Sequence, residues 1–309
     1  MSIVVFGSIN MDLVAHAPRI AKPGETLFGT DFTTVPGGKG ANQAVAVARL
    51  GGDVRMVGAV GDDGFGQELR AGLADAGVDT RGVATSAGAS GVALIILDAA
   101  GENSITVISG ANMRLGDSAL HQLETALAGA THLLLQLEVP LPLVVAAAGM
   151  AAARGVTVIL DPAPAPATTL PDALYQAATI ITPNETETAL LTGIEPTDDE
   201  RCAAAAAILH QRGSRHVVIK RGGSGVFWSA AGVGRHIDGY RVPVIDTVAA
   251  GDCFNGACAT ALARGETIEA ALRYACASAA LSVTKSGAQS SMPTAAAVAA
   301  FLRDGTLAD

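Results

Sequence analysis

The chain is 309 residues long, 50% hydrophobic, 16% charged and 4% aromatic, with a formal net charge of −9. That length suits one large domain with an appendage, and the apolar, Ala- and Gly-rich composition excludes disorder in favour of helices packed closely on a sheet. With an acidic balance and no run of Lys or Arg, a nucleic-acid or anionic-membrane surface is excluded as the main partner, although a local positive site for phosphate is not.

The four cysteines (Cys202, Cys253, Cys258, Cys276) form no CxxC pair, and no histidine stands at zinc-site spacing, so reduced thiols in a cytoplasmic protein are expected. Met1 to Gly7 lacks a basic leader region and reads as a first strand rather than a signal peptide. The apolar stretch from Val139 to Ala153 contains Pro140 and Pro142 and is too short to span a bilayer.

In chain order, Ile3 to Phe6 is a continuous apolar run of the kind buried in a parallel sheet. Two short alternating segments follow, Leu13 to His16 and Thr26 to Val35, broken by Pro18, Pro23-Gly24 and Gly29. They predict antiparallel strands outside the main sheet. A helix is expected over Ala41 to Leu50, a strand over Val54 to Val60 and a helix over Gly64 to Ala76. Gly91 to Leu97 and Ser104 to Ile108 predict a second antiparallel pair, turning at Ala99 to Gly101. From there helices (115–127, 141–154, 185–192, 198–211) alternate with strands (131–136, 156–160, 178–181, 217–220). Such alternation defines an α/β fold, a mostly parallel central sheet with helices on both faces. The two irregular β pairs, 13–36 and 91–109, are expected to combine into a small β-sheet lid over a core of 1–12, 37–90 and 110–309.

Candidate site residues gather at the strand ends, where such sheets bind ligands. Asn10 and Asp12 follow the first strand at i, i+2 and point to one side if the chain stays extended. There they could hold vicinal hydroxyls, or simply form a turn. Gly37-Gly38-Lys39-Gly40-Ala41-Asn42 opens a helix with bare backbone and two polar side chains, yet has the spacing of neither a P-loop nor G-x-G-x-x-G. Gln136-Leu137-Glu138 puts a carboxylate after another strand. Asn184 and Glu187 have capping-box spacing and could equally organise hydrated Mg²⁺ and phosphates. Arg221-Gly222-Gly223-Ser224-Gly225, after the strand ending at Lys220 and before another at Val226 to Ser229, is a hairpin or a phosphate wrap.

The densest stretch is Asp246-Thr247-Val248-Ala249-Ala250-Gly251-Asp252-Cys253-Phe254-Asn255-Gly256. A strand-like approach from Tyr240 to Ile245 leads into it and a helix from Phe254 to Ala263 leaves it. Free amides at such a helix start bind anions. Asp252 is either the helix cap or a base that accepts a proton.

Taken in order, Asn10-x-Asp12, Gly37 to Asn42, Pro183-Asn184-Glu185-Thr186-Glu187 and Asp246 to Gly256 resemble the PfkB family of sugar and nucleoside kinases, in its ribokinase-like branch, across essentially the whole chain. Asp161-Pro162-Ala163-Pro164, similar to an Asn-Pro segment, and Lys285 to Gln289 add to the likeness. The resemblance implies a ribokinase-like three-layer α/β/α core and ATP-dependent phosphorylation of a sugar's primary hydroxyl. D-ribose yielding D-ribose 5-phosphate is the expected reaction, ahead of deoxyribose, fructose, a sugar acid or a nucleoside, and ahead of a non-catalytic sugar-binding protein. It makes Asp252 the base and the amides of Ala249, Ala250 and Gly251 the anion site. Asn10, Asp12, Gly38, Lys39, Asn42 and Glu138 would hold the sugar. Asn184, Glu187, Lys220, Arg221, Gly222, Gly223, Ser224, Gly225, Gly251 and Cys276 would meet ATP and its Mg²⁺. Asp246, Val248, Ser282, Lys285, Gly287 and Ser291 would hold an activating K⁺. A homodimer through the lid is also expected, because two open sheets can cover each other's faces. Four residues depart from the family pattern. Cys253 replaces a hydroxyl residue, Lys220 and Arg221 replace smaller or apolar ones, and Cys276 replaces a histidine beside the adenine.

Overall fold

A computed structural model describes residues 1–100, 102–166 and 169–304. The chain runs β1 (Ser2–Phe6), β2 (Asn10–His16), β3 (Asp31–Gly37), α1 (Lys39–Arg49), β4 (Asp53–Gly61), α2 (Gly64–Asp75), β5 (Asp79–Ser86), β6 (Gly91–Leu97) and β7 (Asn103–Ile108). It continues through α3 (Asp117–Ala126), β8 (Ala130–Leu135), α4 (Leu141–Ala153), β9 (Thr157–Leu160), α5 (Asp172–Ala177), β10 (Ile180–Ile181), α6 (Glu185–Thr192) and α7 (Asp199–Gln211). The last elements are β11 (His216–Lys220), β12 (Gly225–Ala230), β13 (Val233–Asp238), α8 (Ala250–Ala263), α9 (Ile268–Ser282) and α10 (Ala295–Asp304).

Nine strands form the main sheet in the order β13-β12-β11-β10-β9-β8-β1-β4-β5. Its pairings are parallel except where β12 meets β11 and β13. The unbroken apolar run of β1 is buried along its whole length between β4 and β8, as a strand covered on both faces must be. One face of the sheet packs α1, α2, α8, α9 and α10, and the other α3, α4, α5 and α7, giving the α/β/α layers expected of the sequence. Two strands escaped the sequence pattern, β5 and β13, because both are sheet edges carrying many polar or glycine residues (DTRGVATS, VGRHID).

The second sheet has four strands, ordered β3-β2-β6-β7. Each hairpin pair is antiparallel as expected, but the two are joined through a parallel β2–β6 contact. The small sheet begins at Asn10, three residues before the boundary expected at 13, so Asn10 and Asp12 lie on a strand with their side chains on one side. Gly101 of the expected 99–101 turn, and residues 305–309 at the end of the expected core, lie outside the described residues.

Gly256 of α8 touches α1 so closely that a Cβ there would stand 2.7 Å from Ala46 Cβ and 2.9 Å from the Gln43 carbonyl oxygen. This contact brings the starts of the two helices together below the seam between the sheets.

The strand expected from Tyr240 to Ile245 does not form. That segment is irregular, with Val244 and Ile245 exposed, and it is tied down by the Ile245 and Asp246 amides donating to the Val283 carbonyl at 2.8 and 3.2 Å. Its valines and tyrosine wall a cavity instead of joining a sheet.

Candidate active site

α8 starts four residues earlier than expected, at Ala250, behind Ala249 in a left-handed conformation (φ 59°) with no side-chain cap. The cap reading of Asp252 therefore fails: it is the third residue of the helix, and its carboxylate points away from the helix amides. Oδ2 accepts from Asn42 Nδ2 at 3.0 Å and Oδ1 from Gln43 Nε2 at 3.1 Å, both donors on α1. The Ala250 amide leans on the Thr247 carbonyl at 3.3 Å. With no side chain capping the end, Gly251 and Asp252 present their amides outward at the positive end of the helix dipole.

Burial pushes the Asp252 carboxyl up to about 6. The Lys39 ammonium opposes the rise, Asp161 adds to it, and the two amide donors oppose it. A buried carboxylate titrating near 6 is ionised at neutral pH yet basic enough to take a proton. Asp12 is likewise raised to about 6, by burial first and then by the charges of Glu138 and Asp252. Burial presses on the Lys39 ammonium in the opposite sense, but Asp252, Asp161, Glu138 and Glu187 together hold its pKa above the ordinary range. Lys39 is the cation that opposes the rise at Asp252.

On the lid side, the Asn10 Oδ1 accepts from Asn112 Nδ2 at 2.6 Å, and Asn112 also bridges the Ile9 amide and carbonyl. Two glycines make room for this clamp. A Cβ on Gly91 would stand 2.1 Å from Asn10 Oδ1, and one on Gly37 2.4 Å from Asp12 Oδ2. Gly38 takes φ 88° and caps α1 without a side chain. Glu138 Oε2 accepts from Ser8 Oγ at 2.5 Å and from the Lys39 amide at 3.1 Å. Asn10, Asp12, Gly38, Lys39, Asn42 and Glu138 thus converge around Asp252.

Across α8 from this cluster lies a cavity of about 420 Å³. Lys220, Gly222, Gly223, Gly225 and Gly251 form its polar rim, and Tyr240, Val242, Phe254, Cys276 and Ala279 its apolar wall. A Cβ on Gly222 or Gly223 would meet nothing, so the bare backbone there faces open space. Cys276 is a buried thiol pushed up to about 12 by burial, apolar in character. Cys253 is fully buried and also raised to about 12 by burial, so it does not enter the cavity as a hydroxyl would.

Four expected nucleotide residues do not line the cavity. Arg221 is committed to Asp199 Oδ1 and the Thr197 carbonyl, both at 2.8 Å. Ser224 sits in the turn below, its amide on the Arg221 carbonyl at 3.0 Å. Asn184 and Glu187 form a complete capping box on α6. They are nevertheless neighbours of the site: Asn184 bridges Lys220, and Glu187 is raised by burial and by Asp161.

Of the expected cation ligands, Asp246, Val248 and Gly287 come together: the Asp246 oxygens accept from the Val248 and Gly287 amides at 2.9 and 2.8 Å. Ser282 and Ser291 are buried nearby in sequence, with hydroxyls donating to Ala279 and Ala288 carbonyls, and Lys285 is exposed. No cluster of three or more His, Cys, Asp or Glu side chains suited to a metal occurs among the described residues.

Sequence reasoning missed three participants. Gln43 stands four residues after Lys39 and one after Asn42, on the same face of α1, and helical spacing alone could have found it. Asn112 and Ser8 act through partners more than a hundred residues away, which no local pattern signals.

A buried carboxylate beside an uncapped helix start, with a cluster of polar side chains on one hand and a glycine-rimmed cavity on the other, suits an enzyme that moves a phosphoryl group onto an alcohol. The model of the pfkB family carbohydrate kinases matches residues 1–295, and the chain belongs to that family. It is 45% identical to a ribokinase of Haemophilus influenzae, covering 97% of this chain and 98% of that enzyme. It is 37% identical to a deoxyribokinase of Salmonella typhi, covering 95% and 96%. The structure of Arabidopsis thaliana ribokinase complexed with ribose and ATP superposes with a TM-score of 0.90 at 34% identity, covering 97% of this chain and 98% of that one.

Proposed function

We propose that the protein is an ATP-dependent ribokinase, transferring the γ-phosphoryl group of ATP to the 5-hydroxyl of D-ribose to give D-ribose 5-phosphate. The observation that carries this reading is Asp252, held by Asn42 and Gln43 at the uncapped start of α8 between the sugar-side cluster and the cavity. The ribokinase relatives and the ribose- and ATP-bound neighbour support it.

Asp252 takes the proton of the primary hydroxyl as that oxygen bonds the γ-phosphorus and the bond to the β-bridging oxygen breaks. The Gly251 and Asp252 amides, with those of Ala249 and Ala250, receive the charge that spreads over the transferred group. Asn10, Asp12, Gly38, Lys39, Asn42 and Glu138 orient the sugar, and their polarity suits a small polyol better than a nucleoside base. Gly222, Gly223 and Gly225 admit the nucleotide's phosphates, and the wall of Tyr240, Val242 and Cys276 fits adenine.

Mg²⁺ neutralises phosphate charge when bound. Glu187 and Asn184, beside Lys220, would stand at the margin of that ion. K⁺ would take Asp246 and carbonyls near Val248, Ser282, Lys285, Gly287 and Ser291. The Asp246–Gly287 hydrogen bond brings those two segments together.

The lid reads as the dimer contact, since Phe32, Leu94, Ile105, Val107 and Ile108 are 44–59% exposed on one small sheet. Four free thiols suit a reducing, cytoplasmic setting. A coupled ADP-release assay with ribose, deoxyribose, fructose and adenosine, with and without K⁺, tests the reading. Ribose should give the highest kcat/KM; a higher value for deoxyribose moves the assignment to that sugar, and ATP use indifferent to every sugar sinks it.

A further inference from the structure

The amide of Gln43 joins two carboxylates. Its Oε1 accepts from Gln136 Nε2 at 2.6 Å, which dictates that Nε2 faces the acids. Nε2 then donates one hydrogen to Asp252 Oδ1 and the other to Asp161 Oδ2, each at 3.1 Å. The second oxygen of Asp161 holds Lys220 Nζ at 2.9 Å, with the two side chains 3% and 13% exposed. A lone charge in either place would be expensive, so the two belong together. Of the two, Lys220 breaks with the family pattern, standing where a smaller or apolar residue is expected, while Asp161 opens the segment that is similar to the family's Asn-Pro.

The position of the ammonium is informative. A Cβ built on Gly251 would meet a single heavy-atom neighbour within 4 Å, Lys220 Nζ at 3.3 Å. The cation therefore hangs directly before the second residue of α8, over the open amides, on the rim of the nucleotide cavity. Asp161 engages one of its three hydrogens, leaving donors for an anion at the helix start. Arg221, the neighbouring cation, is spent on Asp199 and the Thr197 carbonyl and has no such freedom.

We propose that Lys220 contacts the transferred phosphoryl group of ATP, and that Asp161 and Gln43 are positioning residues that hold this cation in register with the base Asp252. The proposal rests on the kinase reading above and deepens it. Lys220 exchanges no proton in the step: the sugar proton goes to Asp252, the sugar oxygen gains the phosphorus, and the ADP oxygen leaves with the bonding pair.

The test compares wild type with Lys220→Met/Asp161→Asn, which removes both charges and leaves neither buried alone, and with Lys220→Gln as a second variant should the pair fail to fold. Calorimetry with Mg²⁺ measures affinity for ADP and for a non-hydrolysable ATP analogue, and initial rates give kcat and the ribose KM. Loss of a charge-assisted hydrogen bond predicts analogue affinity weakened about tenfold or more with ADP affinity within about twofold. It also predicts kcat lowered about 10–100-fold with ribose KM changed less than about threefold. Equal weakening of ADP and analogue, or unchanged analogue affinity, overturns the role given to Lys220. The binding arm needs no turnover, so an enzyme that ignores ribose would undo the kinase reading while this result still stood.

Discussion

The two sheets of this protein are built from similar residues and live in opposite environments. β1 is SIVVF and buried at every position, whereas β7 is NSITVI and exposed at every position. In the main sheet, apolar side chains are enclosed by helices on both faces. In the small sheet, burial fades along the strands. The row of Gly37, Asn10 and Gly91, where the sheet meets the core, is buried, while Asp31, His16 and Asn103 at the far end are exposed. The same β-forming chemistry serves as a scaffold in one place and as an open, anchored flap in the other. The candidate site lies on the seam, with the proposed base, Asp252, supplied from the enclosed side and two of the six proposed sugar ligands, Asn10 and Asp12, from the open side.

The widest contrast is expected from one kind of change made in both sheets. Val5→Asp buries an unpaired charge and should cost more than about 4 kcal/mol, leaving little folded protein in a denaturant titration. Val107→Asp should keep wild-type melting and, on the lid-dimer contact proposed above, shift sedimentation from dimer to monomer. A Val107→Asp protein that unfolds like Val5→Asp would erase the distinction. Next in size is the base. Asp252→Asn should lower kcat about 10²–10⁴-fold with ribose binding still measurable by calorimetry, and turnover within a few-fold of wild type refutes its role. On the open side, Gly91→Ala forces a methyl group onto Asn10 and Asn112, so ribose KM should rise about tenfold with kcat changed far less. A kcat loss as large as that of Asp252→Asn would place the clamp in the chemistry rather than in binding.

The smallest effect concerns pH. Asp252 and Asp12 both titrate near 6, so kcat/KM should fall as pH drops through about 6, more steeply than one proton allows. Lys39 holds the Asp252 pKa down, so Lys39→Met should move the acid limb to higher pH. A shift to lower pH would contradict the charge arrangement.

What was legible in the sequence followed from local chemistry. Alternating helices and strands identified the layers, and the glycine-opened helices and the order of motifs pointed to the family and to residues that the fold brings together around Asp252. Tyr240 to Ile245 misled because its apolar residues are there to line a cavity, and hydrophobicity does not say what it faces. Arg221 was grouped with the nucleotide loop because its partner Asp199 lies on α7, out of reach of any local pattern. The Gln43 amide was overlooked beside its neighbour Asn42, although its role depends on Gln136, Asp161 and Asp252, all far away in sequence. Residues that bind through their neighbours in the chain were visible; those that work through distant partners needed the fold.

The contact of Gly256 with α1 has a consequence for how such an enzyme can change over generations. By locking α1 against α8, it holds Asn42, Gln43 and Asp252 as one unit that tolerates no added methyl group at the joint. Asn10 and Asp12 sit on a different piece of chain, joined to that unit by space rather than by packing of helix on helix. Substitutions in the small sheet can therefore explore new acceptor alcohols while the phosphoryl-transfer apparatus is inherited untouched.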